Sequence, residues 1–428
     1  MYNVNNDRLT TKKETTVNFS LPHDVFLKAL EKGGIAIFGS DGMMDEGLRE
    51  TIPTQRCVKL TSKDGALSIE ASVNKANSIY TCKHDGIKFI EDGSLCVDAV
   101  ELRSNLKSLK YSHTVYFEFD KDTLNSKAGK GSDTITPLGK VTFKAVNEVG
   151  REAFKLSLTA FSPNDFVQTA YSDGTDAKLK IQSKVFCESV NFVAFASGED
   201  QMSGLFDHVC VFSKGGDVHI AATDNKRAAL TTLDKSSYEG DNEGDPIFIE
   251  SKMALSIMAQ MPSDSTPVSI VLDPDDEHVT FKVEENFKIR TSLPPSVSRS
   301  KFPTFASAIN MPVGASIVFD PKREVEQTVS RLLTSYHIGV FTAADGDEEV
   351  EIKCWNMNVS GKAGCRKIEK GLKNSINLPL QFILEIIKRL PADAVKFSFS
   401  EDEKKVIVQS VDRPTPFYLM QRVTPTDV

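Results

Sequence analysis

The chain has 428 residues, a formal net charge of −8 and an ordinary hydrophobic content of 40%. The length predicts about three domains. The acidic balance argues against a protein that coats nucleic acid with its whole surface, although a single positive face would still allow contact with DNA. No apolar run is long enough to span a bilayer, and the polar segment at 1–15 lacks the apolar core of a secretory signal. We therefore expect a cytoplasmic protein without membrane contact.

The residues that usually carry chemistry do not form a catalytic or metal-binding pattern. The seven cysteines are scattered without a C-x-x-C pair, which predicts free thiols in a reducing compartment. The glycines and lysines at 127–133 follow no apolar strand, so they indicate a hairpin tip rather than a phosphate-binding loop. We expect no metal, no cofactor and no enzymatic activity. Of three hypotheses about function, an enzyme with an unfamiliar site ranks last, behind the two binding proteins described below.

In chain order, one pattern of predicted elements occurs three times. Each repeat begins with a strand that runs into an amphipathic helix, at 17–32, 179–196 and 315–333. An alternating strand, a second helix and further strands follow; the second helices are predicted at 96–110, 248–261 and 376–390. The pattern predicts an α+β fold of three repeated domains, each with two helices packed on antiparallel sheets.

Polar segments near 172 and 311 mark the boundaries between the repeats. The predicted domains are therefore 16–172, 173–310 and 311–428. Two insertions distinguish the repeats, a Gly/Lys/Ser-rich extension at 121–140 and an acidic, glycine-rich segment at 234–246, which we expect to be a solvated loop.

The stretch "HIAATDNKRAAL" at 219–230 predicts a strand that ends in a tight polar turn. It resembles the A-T-D-G-x-R-L-A motif of the bacterial DNA polymerase sliding clamp, the beta subunit of the replicative polymerase. Other segments resemble motifs of the same family in the same order, and they are "RETIP" at 49–53, "VNFVAFASGEDQMSGL" at 190–205, "KFPTF" at 301–305, "FILEIIKRLPADAVKFSFS" at 382–400 and "PFYLMQRV" at 416–423. The resemblance covers nearly the whole chain, from about residue 16 to 423.

This resemblance implies the DNA-clamp fold and a head-to-tail homodimer that closes into a ring around double-stranded DNA, with the helices inside. Heterologous contacts with a closing rotation give such a ring, and the formal charge of the six predicted helices is slightly positive. The family tethers the replicative polymerase, the clamp loader and repair proteins through short apolar peptides. The length and the departures from the motifs would fit a divergent clamp, for example one encoded by a bacteriophage.

The resemblance also places the peptide cleft between the second and third domains. Carried over by position, the cleft residues are Leu205, Thr223, Arg227, Ala228, Pro303, Tyr418, Leu419 and Met420. Thr223 and Arg227 are expected to supply hydrogen bonds at the rim. Asn225 replaces the family glycine, and asparagine tolerates the same left-handed turn. Ala228 replaces a larger leucine, so we expect a wider subsite.

The expected DNA-facing residues are basic. Arg49 is included because it matches the family motif, and the other residues are included because of their positions in the predicted helices. The full set is Arg49, Lys107, Lys110, Lys252, Arg331, Lys388 and Arg389. The acidic pair Glu199-Asp200 stands where the family often has polar DNA contacts. A second hypothesis therefore stays open, in which the chain is a clamp-fold scaffold that binds partner proteins without encircling DNA.

Overall fold

The structure is a computed structural model that describes residues 18–39, 56–73, 76–109, 113–120, 137–166, 169–171, 177–198, 205–243, 246–273, 277–295, 299, 302, 305, 311–412 and 417–421. Several of the predicted features lie outside these residues. They are the segment at 1–15, the motif at 49–53 with Arg49, most of the insertion at 121–140, and the residues Lys110, Glu199, Asp200 and Pro303.

The helices in the described ranges are α1 (His23–Gly33), α2 (Ile35–Phe38), α3 (Ala99–Lys107), α4 (Ser183–Val193), α5 (Ser251–Ala259), α6 (Arg323–Leu333) and α7 (Leu380–Arg389). The strands are β1 (Asn18–Pro22), β2 (Cys57–Lys63), β3 (Ala66–Val73), β4 (Ala76–Cys82), β5 (Lys88–Glu91), β6 (Gly93–Asp98), β7 (Thr114–Asp120), β8 (Pro137–Val146), β9 (Glu152–Phe161), β10 (Leu179–Gln182), β11 (His208–Lys214), β12 (Asp217–Thr223), β13 (Arg227–Thr232), β14 (Tyr238–Gly240), β15 (Ile247–Glu250), β16 (Pro267–Leu272), β17 (His278–Val283), β18 (Phe287–Ser292), β19 (Val313–Phe319), β20 (Ile338–Thr342), β21 (Glu349–Cys354), β22 (Ser360–Gly364), β23 (Lys367–Lys370), β24 (Ile376–Pro379), β25 (Val395–Ser400), β26 (Lys405–Ser410) and β27 (Phe417–Gln421).

The predicted alternation of strands and helices is confirmed, and so is the α+β class. Strands β1, β10 and β19 lead into the first helices of the repeats, and β6, β15 and β24 lead into the second. Helix α6 shows why the pattern could be read from the sequence. It buries Val325, Val329 and Leu332, which recur at helical spacing along one stripe. Among these seven α-helices of the described ranges, the pattern did not predict short α2, and it also did not predict the 3-10 turns at Pro163–Asp165 and Lys235–Ser237.

The chain forms two compact units, and unit 1 comprises residues 1–176, 268–273 and 278–292. Its described strands form one antiparallel sheet in the order β16-β17-β18-β4-β3-β2-β6-β9-β8-β7-β1-β5. Helix α1 packs on β3 and β4 and against α3. Phe19 stacks on Phe117 with ring centroids 4.9 Å apart, and the ring of Phe26 meets Phe19 edge-on at 5.8 Å. These rings fasten α1 to the sheet in the core of this unit.

Unit 2 comprises residues 177–267, 274–277 and 293–428. Its largest sheet has nine strands in the order β15-β11-β12-β13-β27-β26-β25-β19-β23, and a second sheet has the order β22-β21-β20-β24. Helix α4 packs on β12 and β13 and against α5, and α6 packs on α7 and on the smaller sheet. The pairing of β13 with β27 joins strands from two predicted domains into one sheet.

The acidic segment at 234–246 is a correction to the sequence analysis. It contains β14, which pairs with β10 in antiparallel register. Asn242 is buried at 3% exposure, and its side-chain amide donates to the carbonyl oxygen of Val211 at 3.0 Å. A satisfied buried amide holds the segment against the sheet. Most of its described residues are exposed, as predicted, and only the assignment of the whole segment as a loop is wrong, because it contains β14.

Within the described residues, no helix is both long enough and apolar enough to cross a membrane. The same residues hold no cluster of histidine, cysteine and carboxylate side chains that could bind a metal ion.

Gly33 at the end of α1 offers a test of the packing in unit 1. A Cβ atom there would lie 2.5 Å from the carbonyl oxygen of Ile69 and 2.6 Å from its Cβ. We expect Gly33→Ala to destabilise the contact with β3 by about 1–3 kcal/mol, because the backbone of a central strand cannot move aside. Hydrogen exchange of peptides that cover β3 measures the loss. Gly364→Ala is the control, since its nearest new contact is Glu324 at 3.9 Å, and unchanged exchange in Gly33→Ala would contradict the packing.

Candidate functional site

The turn between β12 and β13 is held by the side chain that precedes it. The hydroxyl of Thr223 donates to the carbonyl oxygen of Arg227 at 2.7 Å and accepts from the backbone N–H of Asn225 at 3.1 Å. Asn225 has a φ of 71°, in the left-handed region that asparagine tolerates better than most residues. Asparagine is therefore compatible with this position of the turn.

Asp224 organises the same turn. Its carboxylate accepts hydrogen bonds from the backbone N–H groups of Lys226 at 2.9 Å and Arg227 at 2.8 Å, and from Nε of Arg227 at 3.1 Å. Gly198 lies against it, and a Cβ at Gly198 would be 2.7 Å from the Cβ of Asp224. All these contacts belong to turn structure, so Asp224 is explained without catalysis.

Strand pairing sorts the residues near this turn onto two faces of the nine-stranded sheet. Side chains alternate along a strand, and directly paired residues on neighbouring strands share a face. Ala228 pairs with Leu419, whereas Arg227 pairs with Met420. We call the two surfaces the apolar face and the helix face. The apolar face carries Ala221, Thr223, Ala228, Leu230, Phe417 and Leu419, and the helix face carries Ala222, Arg227, Ala229, Tyr418 and Met420.

The apolar face carries a continuous aromatic and aliphatic cluster. Its buried members are Ala221, Ala228, Leu230, Phe305, Met311, Ile407 and Phe417, and Phe212, Phe302 and Leu419 are partly buried beside them. The rings of Phe212 and Phe305 stack with centroids 6.4 Å apart, and Phe302 meets Phe305 at 5.6 Å. Partly exposed apolar side chains above a packed base suit the anchoring of an apolar side chain from a partner.

The helix face beneath this cluster is core. Tyr418 is fully buried, its ring stacks on Phe192 at 4.4 Å and its hydroxyl donates to the carbonyl oxygen of Phe192 at 3.2 Å. Burial raises the pKa of the Tyr418 phenol above its usual range. Met420 on the same face is 1% exposed. Neither side chain is accessible from the apolar face.

Arg227 is also engaged on the helix face. Its Nη1 lies 3.2 Å from Oε2 of Glu385 in α7, and its guanidinium carbon lies 4.0 Å from the ring centroid of Phe382 and 5.2 Å from that of Phe195. With the Asp224 contact, the guanidinium has two carboxylates and two rings around it, and its side chain is 14% exposed.

The predicted cleft residues are therefore not all brought together. Thr223, Ala228 and Leu419 share the apolar face, whereas Arg227, Tyr418 and Met420 lie on the helix face. Three consecutive residues of a strand cannot share one face, so the set Tyr418-Leu419-Met420 had to divide. Leu205 is buried just before β11 and is not a member of the apolar cluster, and Pro303 lies outside the described residues.

Sequence reasoning named only Ala228 and Leu419 from the apolar cluster, and it missed the other members, which are Phe212, Ala221, Leu230, Phe302, Phe305, Met311, Ile407 and Phe417. The alternation within "FYLMQ" would have grouped Phe417 with Leu419. The others come from strands and a linker whose register is set by tertiary pairing.

The predicted DNA-facing residues in the described ranges differ in their surroundings. Lys107 on α3 is half-exposed, with its ammonium 3.1 Å from the carboxylate of Glu31. Lys252, Arg331 and Lys388 are exposed on α5, α6 and α7, and so is Arg389. Nη1 of Arg389 donates to the carbonyl oxygen of Asn191 at 3.0 Å, and its guanidinium lies over Phe195 at 4.7 Å.

The seven cysteines are all free. Burial raises the pKa of the Cys57 thiol to about 12, and burial also raises the pKa of Cys210. Thiols held neutral in this way are poor nucleophiles.

The fold is that of the bacterial DNA polymerase sliding clamps, which confirms at the level of fold the resemblance drawn from the motifs. The DNA polymerase III beta chain from Streptococcus pneumoniae is 16% identical with a TM-score of 0.76, over 95% of this chain and 100% of that chain. The sliding clamp from Bacillus subtilis is 16% identical with a TM-score of 0.75, over 96% and 99%. The sliding clamp from Pseudomonas aeruginosa bound to griselimycin is 15% identical with a TM-score of 0.75, over 96% and 100%. No family model matches the sequence, and no curated protein matches it.

Tyr418→Phe tests the buried phenol of the helix face. Loss of the hydrogen bond to Phe192 is expected to cost about 1 kcal/mol at neutral pH. An unfolded tyrosine ionises near pH 10. Above that pH the unfolded chain has released a proton that the folded phenol keeps, because its pKa is raised. Above about pH 10, the free energy of unfolding of the wild type therefore falls as pH rises, by up to about 1.4 kcal/mol per pH unit. The variant has no phenol at position 418 and lacks this decrease.

Urea unfolding followed by the fluorescence of Trp355, the chain's single tryptophan and part of the same unit, measures the effect. The stability gap between wild type and Tyr418→Phe should narrow between about pH 8 and pH 10.5. An equal gap at both pH values would contradict the assignment of a buried, neutral phenol.

Proposed function

We propose that the chain is a DNA sliding clamp, a processivity factor without catalysis of its own that encircles duplex DNA and tethers a replicative polymerase and other replication and repair proteins. The observation that carries the proposal is the apolar face where β13 pairs with β27, on a chain with the clamp fold. A partly exposed apolar surface on a rigid sheet is what a tethering peptide requires.

In this proposal the chain has three clamp domains, 16–172, 173–310 and 311–428, and two copies close head to tail into a ring. The repeated strand–helix pairs support the three domains. Met357 and Val359 are 38% and 39% exposed just before β22, an end strand of its sheet. Exposed apolar side chains in the turn that joins β21 to β22 offer a surface for a second copy. The ring would act in the cytoplasm of a bacterium or of a phage-infected cell.

The partner peptide would bind on the apolar face. Leu419, Phe212 and Phe302 are its partly exposed members and would contact the peptide, while Ala228 would leave room for a bulky side chain between them. Tyr418 and Met420 would support this surface from behind, since both are buried on the helix face. The clamp loader and the polymerase would compete for this one surface.

Leu419→Asp tests the peptide surface. A phage-displayed library of seven-residue peptides is selected on the wild-type chain, and apolar peptides should be enriched. The same peptides should bind Leu419→Asp at least about tenfold more weakly, because a desolvated carboxylate would face an apolar anchor. Fluorescence anisotropy of a labelled enriched peptide measures the change.

Val411→Asp is the matched control, since Val411 is 38% exposed in the same unit and is not a member of the apolar cluster. Full binding by Leu419→Asp would place the peptide site elsewhere. No enrichment on the wild-type chain would argue against a peptide-binding protein.

Two measurements test whether the protein encircles DNA: the mass of the particle and its retention on circular compared with linear DNA. Sedimentation should give a particle near twice 47.1 kDa. On nicked circular plasmid, at protein concentrations that allow rings to open and reclose, the protein should stay bound in high salt and be lost when the plasmid is cut. Replacing Arg331 and Lys388 by Glu should shorten retention, because each lost phosphate contact weakens sequence-independent binding.

The scaffold that does not encircle DNA is the second candidate, and the ion pair between Lys107 and Glu31 favours it, because that pair offsets one cation of the helices. A strict monomer, or binding that is indifferent to cutting the plasmid, would support the scaffold and overturn the clamp.

A further inference from the structure

The sheet of unit 1 has a narrow joint where β6 meets β9. These two strands pair only through Cys96 with Phe161 and Val97 with Ala160. In contrast, β6 pairs with β2 along its whole length, and β9 pairs with β8 along nearly all of its own. Because few backbone hydrogen bonds cross between β6 and β9, the sheet can open at this joint while the pairing on either side of it stays intact.

Two cysteines lie beside this joint on one face of the sheet. Cys96 pairs with Phe161 on β9 and with Lys59 on β2, and Cys57 lies two residues before Lys59. Directly paired residues share a face, and so do alternate residues of one strand, so these four side chains lie on the same face. Cys57 and Cys96 are 2% and 0% exposed. Both thiols are therefore covered by other side chains.

The chain that leaves β9 provides this cover. It makes a 3-10 turn at Pro163–Asp165, and Phe166 follows directly. Phe166 is 5% exposed and forms one buried cluster with Cys57 and Cys96. Its ring thus packs on residues of β2 and β6, although the segment that carries it begins at the end of β9. We call residues 162–166 the latch, because this segment bridges the joint.

Lys59 holds the ring of Phe166 from the sheet side. Its ammonium lies 5.8 Å from the ring centroid and 3.3 Å from the carboxylate of Glu70 on β3. The side chains of Lys59 and Glu70 are 15% and 17% exposed, so water screens these interactions less than at an open surface. Burial raises the pKa of the Cys57 thiol to about 12, which keeps the covered thiol protonated and unreactive.

We propose that the latch closes the joint between β6 and β9, and that release of Phe166 opens the sheet there without unfolding the rest of unit 1. The open state exposes the thiols of Cys57 and Cys96, which the closed state hides. The latch gives unit 1 one place to yield locally. It lies in a different unit from the proposed peptide surface, and the inference does not rest on the proposed function.

The wild-type chain allows a first test by pulse labelling with N-ethylmaleimide at about pH 8, where an exposed thiol reacts. Mass spectrometry of peptides then gives the rate at each cysteine. Cys57 and Cys96 should react at similar rates, because one opening uncovers both. Cys82 on β4 is 5% exposed in the same unit. It should react more slowly and with a steeper dependence on urea, because only global unfolding exposes it. One rate and one urea dependence for all three thiols would overturn the latch.

Substitution of Phe166 is the second test. Phe166→Ala should speed the labelling of Cys57 and Cys96 at least about tenfold and leave that of Cys82 unchanged, because loss of the ring weakens the closed joint alone. Phe166→Leu keeps an apolar side chain over the thiols and should stay within about threefold of the wild type. Phe154→Ala is the matched control, since it removes a half-buried ring of β9 that is not a member of the cluster.

The outcomes of this second test are decisive in both directions. Unchanged labelling of Cys57 in Phe166→Ala would show that the ring covers nothing, and parallel acceleration of Cys82 would show that it supports the whole unit. Equal acceleration in Phe154→Ala would show that any lost ring opens the unit. Each of these results overturns the latch. None of them affects the binding test with Leu419→Asp, so failure of the latch and failure of the proposed function remain distinguishable.

Discussion

The antiparallel pairing of β13 with β27 is the interaction on which the rest of unit 2 depends. It runs from Arg227 opposite Met420 to Leu230 opposite Phe417, and it makes one nine-stranded sheet from strands of two sequence repeats. Because the side-chain period of a strand is two residues, this register alone decides which side chains face the aromatic cluster and which face the helices. A slip by one residue would exchange the two sets and bury Leu419 where Met420 now lies.

Much of the fold could be predicted because its signals are local. The apolar spacing in α6 and the alternation in "EVEIKC" of β21 report the helix and the strand without reference to any other part of the chain. The short elements were harder to predict from the sequence. Helix α2 has only four residues and β14 three, too few for a period to emerge, and β14 is stabilised by its pairing with β10.

The site was harder to predict because it depends on long-range pairing and on partners. Motif matching pointed to two strands that pair in the structure, yet it treated Tyr418, Leu419 and Met420 as one surface, which alternation forbids. The charged residues could be counted from the sequence, but their interaction partners could not be predicted from it. Lys107 meets Glu31 from the other helix of its repeat, and Arg389 is drawn to Asn191 and Phe195. The electrostatics of the helix surfaces are therefore set by neighbours that spacing does not reveal.

The same strand pairing has a consequence for biosynthesis. Gln421 reaches back to the carbonyl oxygen of Asn225 across 196 positions of sequence. During translation, β13 can pair with β12 at one edge, but its other edge, which includes Ala228 and Leu230, stays without its partner strand until β27 has left the ribosome. Closure over such a separation is slow, and an open apolar edge invites pairing with other chains. The surface proposed to hold partner peptides is thus also a part of the nascent chain that chaperones would need to protect.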